Sequence, residues 1–342
     1  MGTFEEGKPR VIIQAVPFCE FSLVEQLLGL ISPGAALAGA PQLTLETVSI
    51  KPAFMKKTNV PRSPSVMAVG AHADDIEIEA GGTLEKYFRL GYAVDYVMST
   101  NNMSGGVNSL DADGHLVGKD EPCTEMMARR KRECADATRE WKTEAIHLDY
   151  PQRHYRNENL ELVELRFGTP VPPVTTAEIP CIITAFKFPE AVRRMADLIL
   201  EKDPECIFTH NVASHNPEHF GTALLVTTAY WQAWEQGYRG GLLFWIEADH
   251  PFLGHSYRRW ETFVDYSPHL NRKMEMIGKH QCQMPHAHKE DFPHRLVGLD
   301  RGKACGCLAA EWFVWCNRPV RTDSTTFPTA GPLTNELFLN QR

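Results

Sequence analysis

No segment of this 342-residue chain approaches the roughly 18 consecutive apolar residues that a membrane-crossing helix needs, so no membrane span is expected. Its opening residues, MGTFEEGKPR, place two glutamates where a secretory signal carries basic residues ahead of an apolar run; a soluble, unexported, cytoplasmic protein is expected. Positive charge is in deficit. The 35 Lys and Arg against 43 Asp and Glu give a formal charge of -8, with no long basic block to grip phosphates, so nucleic acid is not an expected partner. The nine cysteines, an odd number, include no CxxC pair and read as reduced thiols rather than a disulfide framework. No GxGxxG surrounds Gly70 or Gly81, which removes the main signal for a dinucleotide site. Internal repeats and low-complexity tracts are also missing. The 43% hydrophobic content is enough for a substantial core and makes disorder a poor overall description.

From Val66 to about Glu247, short apolar runs alternate with longer helical patterns, the signature of βαβ units. Strands are predicted at Val66–Gly70, Val94–Thr100, Ala145–Asp149, Cys206–His210 and Leu242–Glu247, and a further one at Thr262–Tyr266. Apolar spacing of three and four predicts helices through Leu84, Tyr87 and Phe88, through Ala191, Met195 and Ile199, and through Phe220, Ala223 and Thr227; Pro268 opens another to about Cys282. The fold class is therefore α/β, a Rossmann-like, mostly parallel sheet flanked by helices, with an N-terminal extension. Residues 1–63 do not share the rhythm and form that extension, 64–317 the domain, and 318–342 a C-terminal surface arm rich in Thr and Pro. The apolar stretches of the extension suggest a homo-oligomer. Four prolines between Gly168 and Pro180 predict a loop over one face of the sheet.

Chemistry concentrates where the first strand runs into His72-Ala73-Asp74-Asp75, at the carboxyl end where open α/β sheets bind ligands. Imidazole and carboxylate are the usual non-thiolate ligands of zinc and similar divalent ions. A third ligand is expected from the end of another strand, where His210, His215 and His219 fall within ten residues. Taken singly, each fragment reads as readily as structure, since His-x-Asp-Asp can form an Asx turn and His215 can cap a helix near Pro217. Two such clusters at two strand ends of one sheet favour a metal site.

The run Ala71-His72-Ala73-Asp74-Asp75 followed by Gly81-Gly82 resembles the opening of the PIG-L/LmbE-like family of metal-dependent de-N-acetylases. Ser99-Thr100-Asn101, the helix bearing Arg130 and Glu133, the stretch His215–His219 and the closing Phe263-Val264-Asp265, Lys273, His280 and Gln283 follow in the family's order, so that the resemblance spans about Val66 to Phe313. It departs at Ala73, where the family has proline, and in His215-Asn216-Pro217-Glu218-His219, one residue longer than the usual His-Pro-Asp-His. The resemblance implies an LmbE-like fold and a divalent cation, zinc foremost, held by His72, Asp75 and His219. Asp74 would take a proton from water, whose pKa such an ion lowers to about 7, and pass it to the departing amine. The oxyanion role falls to His215, with Asn216 and His210 as alternatives. Arg130 and Asn101 are candidates for holding substrate; Arg130 reads equally as an exposed member of a charged run, and Asn101, like Asn102, as a turn former.

The implied reaction is removal of an N-acetyl group from a small amine, an N-acetylglucosamine-type sugar or conjugate. Two other readings stand beside it: a hydratase of an unsaturated carboxylic acid from the same family, and a non-catalytic ligand-binding relative. Other signals are set aside. Asp111-x-Asp113 looks like a calcium loop but has Pro122 where glutamate is needed, so a polar turn is expected. The histidines at 280, 286, 288 and 294 fit no zinc template and are read as structural or rim residues, and Cys305 and Cys307 as ordinary buried thiols. Among Tyr230, Trp231, Trp234, Trp245 and Tyr257, a sugar platform is weighed against plain core packing.

Overall fold

Strand β1 (Ser65–Gly70) is buried along its whole length. An apolar run without polar alternation fits only where both sheet faces are covered, and its side chains divide between two cores. Met67 and Val69 join one, Val66 and Ala68 the other. β1 is central to a seven-stranded sheet in a computed structural model whose described residues are 63–164, 180–247 and 262–317. β2 (Ala93–Thr100) and β8 (Cys206–Thr209) flank it in parallel; β5 (Ile146–Tyr150) and β9 (Gly241–Trp245) extend the parallel part on either side. β10 (Thr262–Asp265) and β11 (Ala310–Asn317) close the β9 side antiparallel, giving the order β10-β11-β9-β8-β1-β2-β5. Two hairpins stand apart, β3 (Gly106–Leu110) with β4 (Leu116–Asp120), and β6 (His154–Arg156) with β7 (Leu162–Glu164).

The helices are α1 (Asp75–Arg89), α2 (Cys123–Thr138), the single turn α3 (Ile182–Ala185), α4 (Pro189–Lys202), α5 (Pro217–Glu235), α6 (Leu270–Ile277) and α7 (Pro293–Cys305). α4 and α5 cover one face, burying Met195, Ile199, Leu225 and Ala229 with Met67 and Ile207. α1 covers the other, burying Ile76, Ala80 and Leu84 with Val66, Tyr96 and Phe208. From β1 the chain crosses to β2 on one side, whereas β8 lies on the other. The carboxyl ends of β1 and β8 therefore diverge around a crevice, the place where such sheets bind ligands. Among the described residues, no helix is long and apolar enough to cross a membrane.

The expected strands and helices are present, with three corrections. The helix expected from Pro268 to Cys282 begins with a short 3-10 turn at Ser267–His269 and ends at Ile277. Gly278 follows, and the Glu133 carboxylate accepts the Cys282 backbone N–H at 2.9 Å, holding that segment in turns. The helix carrying Arg130 extends to Thr138, and Met126, Arg130 and Cys134 form its buried stripe, which overturns the exposed reading of Arg130. Cys305 and Cys307 are half-buried rather than buried. The polar turn at Asp111 is present: its Oδ1 accepts from the N–H groups of Asp113 and His115 within the β3–β4 hairpin. Tyr230 and Trp245 are core, whereas Tyr257, the extension to residue 62, the loop at 168–179 and the arm from 318 lie outside the described residues.

Candidate metal centre

β1 delivers His72 and Asp75 to one wall of the crevice, and the segment between β8 and α5 delivers His219 to the other. α5 starts where it does because Pro217 suits a first turn and Asn216 Oδ1 accepts the Glu218 N–H at 2.9 Å. That start places Glu218 and His219 one after the other at the sheet edge. His72 Nδ1 lies 3.1 Å from His219 Nε2 and 3.3 Å from Asp75 Oδ2, and His219 Nε2 lies 3.4 Å from Asp75 Oδ1. A tetrahedral zinc ion with bonds of about 2.0–2.1 Å separates its ligand atoms by about 3.3–3.4 Å. The two Asp75 distances are to different oxygens, but with one atom from each residue the three donors still lie within 4.8 Å of one another, a grouping that could hold a divalent cation.

Each donor is held from behind. His72 Nε2 is 2.6 Å from Glu218 Oε2, His219 Nδ1 is 3.0 Å from Glu247 Oε1, and Asp75 Oδ2 accepts the His72 N–H at 2.6 Å. Glu218 also accepts from Gln152 Nε2 and from the Arg153 N–H. Burial works against its charge, yet these bonds with His72 hold the Glu218 carboxyl at about 2. Burial likewise opposes charge on His72, but Asp75 and Glu218 outweigh it and raise the ring to about 9.

Asp74 points elsewhere. Its Oδ2 lies 3.1 Å from the Arg130 guanidinium, which also donates to Ala73 O at 3.3 Å. Burial raises the Asp74 carboxyl above the ordinary range although Arg130 pulls it down. Its φ of 138° is costly for a residue with a side chain, and strain of this kind is kept where the surroundings impose it. Asn101 is buried with its Nδ2 unpartnered, and Arg130 keeps an unpartnered Nε. Asn102, at φ 58°, accepts the Ala73 N–H at 2.7 Å. The N–H that a proline would lack is thus put to use here.

His215 is exposed on the loop before α5 and is not grouped with the three donors. His210 is fully buried, with Nε2 accepting the Ala71 N–H at 3.0 Å and lying 3.1 Å from Asp75 Oδ2. His280 is buried against Glu77 at 3.3 Å. The sequence reading missed Glu247 and the bonds of Glu218 to His72; the available signal for Glu247 was a lone carboxylate ending an apolar strand at the sheet's carboxyl edge.

Residues 67–230 match the PIG-L family, GlcNAc-PI de-N-acetylase. Three solved structures are similar. GalB, the 4-carboxy-2-hydroxymuconate hydratase from Pseudomonas putida KT2440, is 17% identical with a TM-score of 0.53, covering 76% of this chain and 99% of its own. The N,N'-diacetylchitobiose deacetylase from Pyrococcus horikoshii is 17% identical with a TM-score of 0.51, covering 75% and 84%. A conserved protein from Thermus thermophilus is 18% identical with a TM-score of 0.50, covering 75% and 96%. At such identities the likeness is one of fold. The family likeness rests instead on the chain's own sequence over residues 67–230.

Proposed function

We propose that this protein is a zinc-dependent hydrolase that removes an acetyl group from the nitrogen of a small amine, with an N-acetylglucosamine-type sugar or conjugate as the substrate class. The observation that carries the reading is the donor triangle of His72, Asp75 and His219, whose edges suit a tetrahedral cation, beside a buried carboxylate, Asp74, that takes no part in it. Zinc at the triangle supplies Lewis acidity, which polarises a carbonyl and makes water acidic near neutral pH. Asp74, anchored by Arg130, accepts the proton of the attacking water and returns it to the leaving amine. Raised by burial yet restrained by the guanidinium, it suits both halves of that exchange.

His215 holds the oxyanion in this reading, because of the three candidates it is the exposed one. Asn216 is tied to the α5 cap through its amide oxygen, and His210 is buried. Asn101 and Arg130 receive substrate hydroxyls through the donors that remain unpartnered.

The shared fold of the Pseudomonas hydratase keeps a second reading in view. A hydratase of an unsaturated acid needs cationic groups converging on carboxylates, but Arg130 and Arg153, two arginines bonded to site residues, are paired with Asp74 and Glu164. The deciding experiment is acetate release from a panel of N-acetylated sugars, with and without chelator and after zinc is restored. Chelator-sensitive release supports the proposal; no release from any metal form refutes it and shifts weight to the hydratase or to a binding role.

A further inference from the structure

Glu247 stands two residues past the end of β9, and one of its oxygens serves two imidazoles. Its Oε1 lies 3.0 Å from His219 Nδ1 and 3.0 Å from His210 Nδ1, while Oε2 accepts from the Ser214 hydroxyl at 2.7 Å. The side chain is only 6% exposed. The two imidazoles are stacked, with centroids 3.9 Å apart and planes 26° from parallel.

A neutral imidazole offers a metal only the nitrogen that carries no proton, and the partner of the other nitrogen selects which one that is. An ionised carboxylate accepts hydrogen bonds and donates none. A ring nitrogen at bonding distance from one is therefore the protonated nitrogen. At His219 this is Nδ1, facing Glu247, which leaves the Nε2 lone pair for the donor triangle. At His72 the arrangement is reversed: Nε2 faces Glu218 at 2.6 Å, and Nδ1 points at the triangle. With a cation in the triangle to exclude the second proton from each ring, the two histidines would be held as opposite tautomers by two different glutamates.

Packing alone would not choose between these states for His219. A flat stack on His210 accommodates the ring and its flipped form alike, since Nδ1 and Cδ2 differ little in size; only a hydrogen-bonding partner distinguishes them. His210 does not exchange roles with His219, because its Nε2 is already engaged, 3.0 Å from the Ala71 nitrogen and 3.1 Å from Asp75 Oδ2. Its Nδ1 lies 3.0 Å from Glu247 Oε1 and 3.3 Å from the Trp245 indole nitrogen. Through Ser214, the same carboxylate also ties down the segment that leads into α5.

We propose that Glu247 is a positioning residue of the metal centre: it fixes His219 as the Nδ1–H tautomer and so presents Nε2 to the cation, as Glu218 presents Nδ1 of His72. The inference rests on reading His72, Asp75 and His219 as a metal site, and its test separates the two. Full-length protein stripped of metal is titrated with zinc against a chromogenic chelator, and the histidine tautomers are read by 15N NMR of the zinc-free and zinc-loaded forms. Glu247→Ala is expected to bind zinc about 10- to 100-fold more weakly, the range typical for loss of a carboxylate behind a ligating histidine, and to lose the single Nδ1–H signature of His219 in the zinc-loaded form. Ser214→Ala, which breaks a bond to the same carboxylate without touching a ligand, is expected to keep both close to the parent.

Parental affinity in Glu247→Ala overturns the proposal, as does weaker binding with the His219 tautomer unchanged, since the ring is then oriented by something else. If Glu247→Ala does not fold, Glu247→Gln carries the test. Its neutral oxygen still accepts but less strongly, so a several-fold loss of affinity is expected, and parental affinity there is equally fatal. A parent protein that takes up no zinc defeats the metal centre itself and this inference with it.

Discussion

The carboxylate of Asp74 lies 3.1 Å from the guanidinium of Arg130, with 8% and 6% of the two side chains exposed. Its neighbour Asp75 turns to His72, His210 and His219 instead. Two adjacent acids thereby receive different partners, an arginine that is always charged and a group of three imidazoles. Asp74→Asn preserves the shape but not the proton acceptor. It is expected to lower acetate release by about 10²–10⁴-fold while zinc content, measured on the same sample, stays at the parental level; parental turnover would refute the role given to Asp74. His219→Ala is expected to do the opposite and lose the metal.

Breaking the same pair from the other side acts on stability. Arg130→Ala leaves a buried carboxylate without its counter-charge, a loss of about 3–5 kcal/mol in comparable cases. Urea unfolding of the variant measures it. A change within error would mean that the pair is solvated in solution.

Gly82 lets α1 approach Tyr266. A Cβ there would lie 2.3 Å from Tyr266 Cγ, and the ring, fully buried, has nowhere to retreat. The Gly82 N–H also donates to Glu311 Oε1 at 2.9 Å. Gly82→Ala is therefore expected to lower the unfolding free energy by about 1–3 kcal/mol or more through overpacking, whereas alanine at Gly81, whose nearest neighbour would be a flexible lysine carbon at 3.5 Å, is expected to be tolerated. Thermal unfolding of the two variants side by side decides it.

Asn102 holds the backbone between the first ligand and the proposed base. Asn102→Gly keeps the left-handed backbone available but removes the acceptor of the Ala73 N–H. A buried N–H without a partner costs about 1–3 kcal/mol. The expected result is a loss of that size in unfolding free energy together with weaker zinc binding, since His72 sits on the loosened turn.

Lys273 and Glu311 form a fully buried pair at 2.5 Å, and Glu311 also accepts from the Gly82 and Thr83 N–H groups and the Thr83 hydroxyl. Burial pulls the Lys273 ammonium toward neutrality, but Glu311 outweighs it and raises its pKa above the ordinary lysine value. A group with a raised folded pKa contributes stability that is complete below its unfolded value, about 10.4 for lysine, and that fades as pH climbs through the folded value. Lys273→Met should thus be destabilised by about 3–5 kcal/mol at neutral pH, where Glu311 is left unpaired. The difference from the parent should shrink only above about pH 10.4. Urea unfolding across pH 7–11 tests the sign.

Local pattern was sufficient for the parallel core. Val66–Gly70 had to be a doubly covered strand because it is apolar on both of its alternating faces, and the breakers Gly91, Pro204 and Gly237 bound the helices. The hairpins escaped notice because β3, β4, β6 and β7 are short and largely exposed, so no core-facing alternation marks them. Arg130 was ambiguous for a related reason: on a helix of mixed charge, only the packing partner decides which arginine turns inward.

Sequence by itself determined the α/β class, the likeness to the PIG-L family and the three candidate donors, because those depend on residue type, spacing and order along the chain. Tertiary structure decided what stands behind the donors. Glu218 and Glu247 reach His72 and His219 across 146 and 28 residues of chain, and Arg130 reaches Asp74 across 56. Hydrogen bonds between residues so far apart leave no local periodicity to read; they come into being only when β1, β8 and β9 bring their carboxyl ends together.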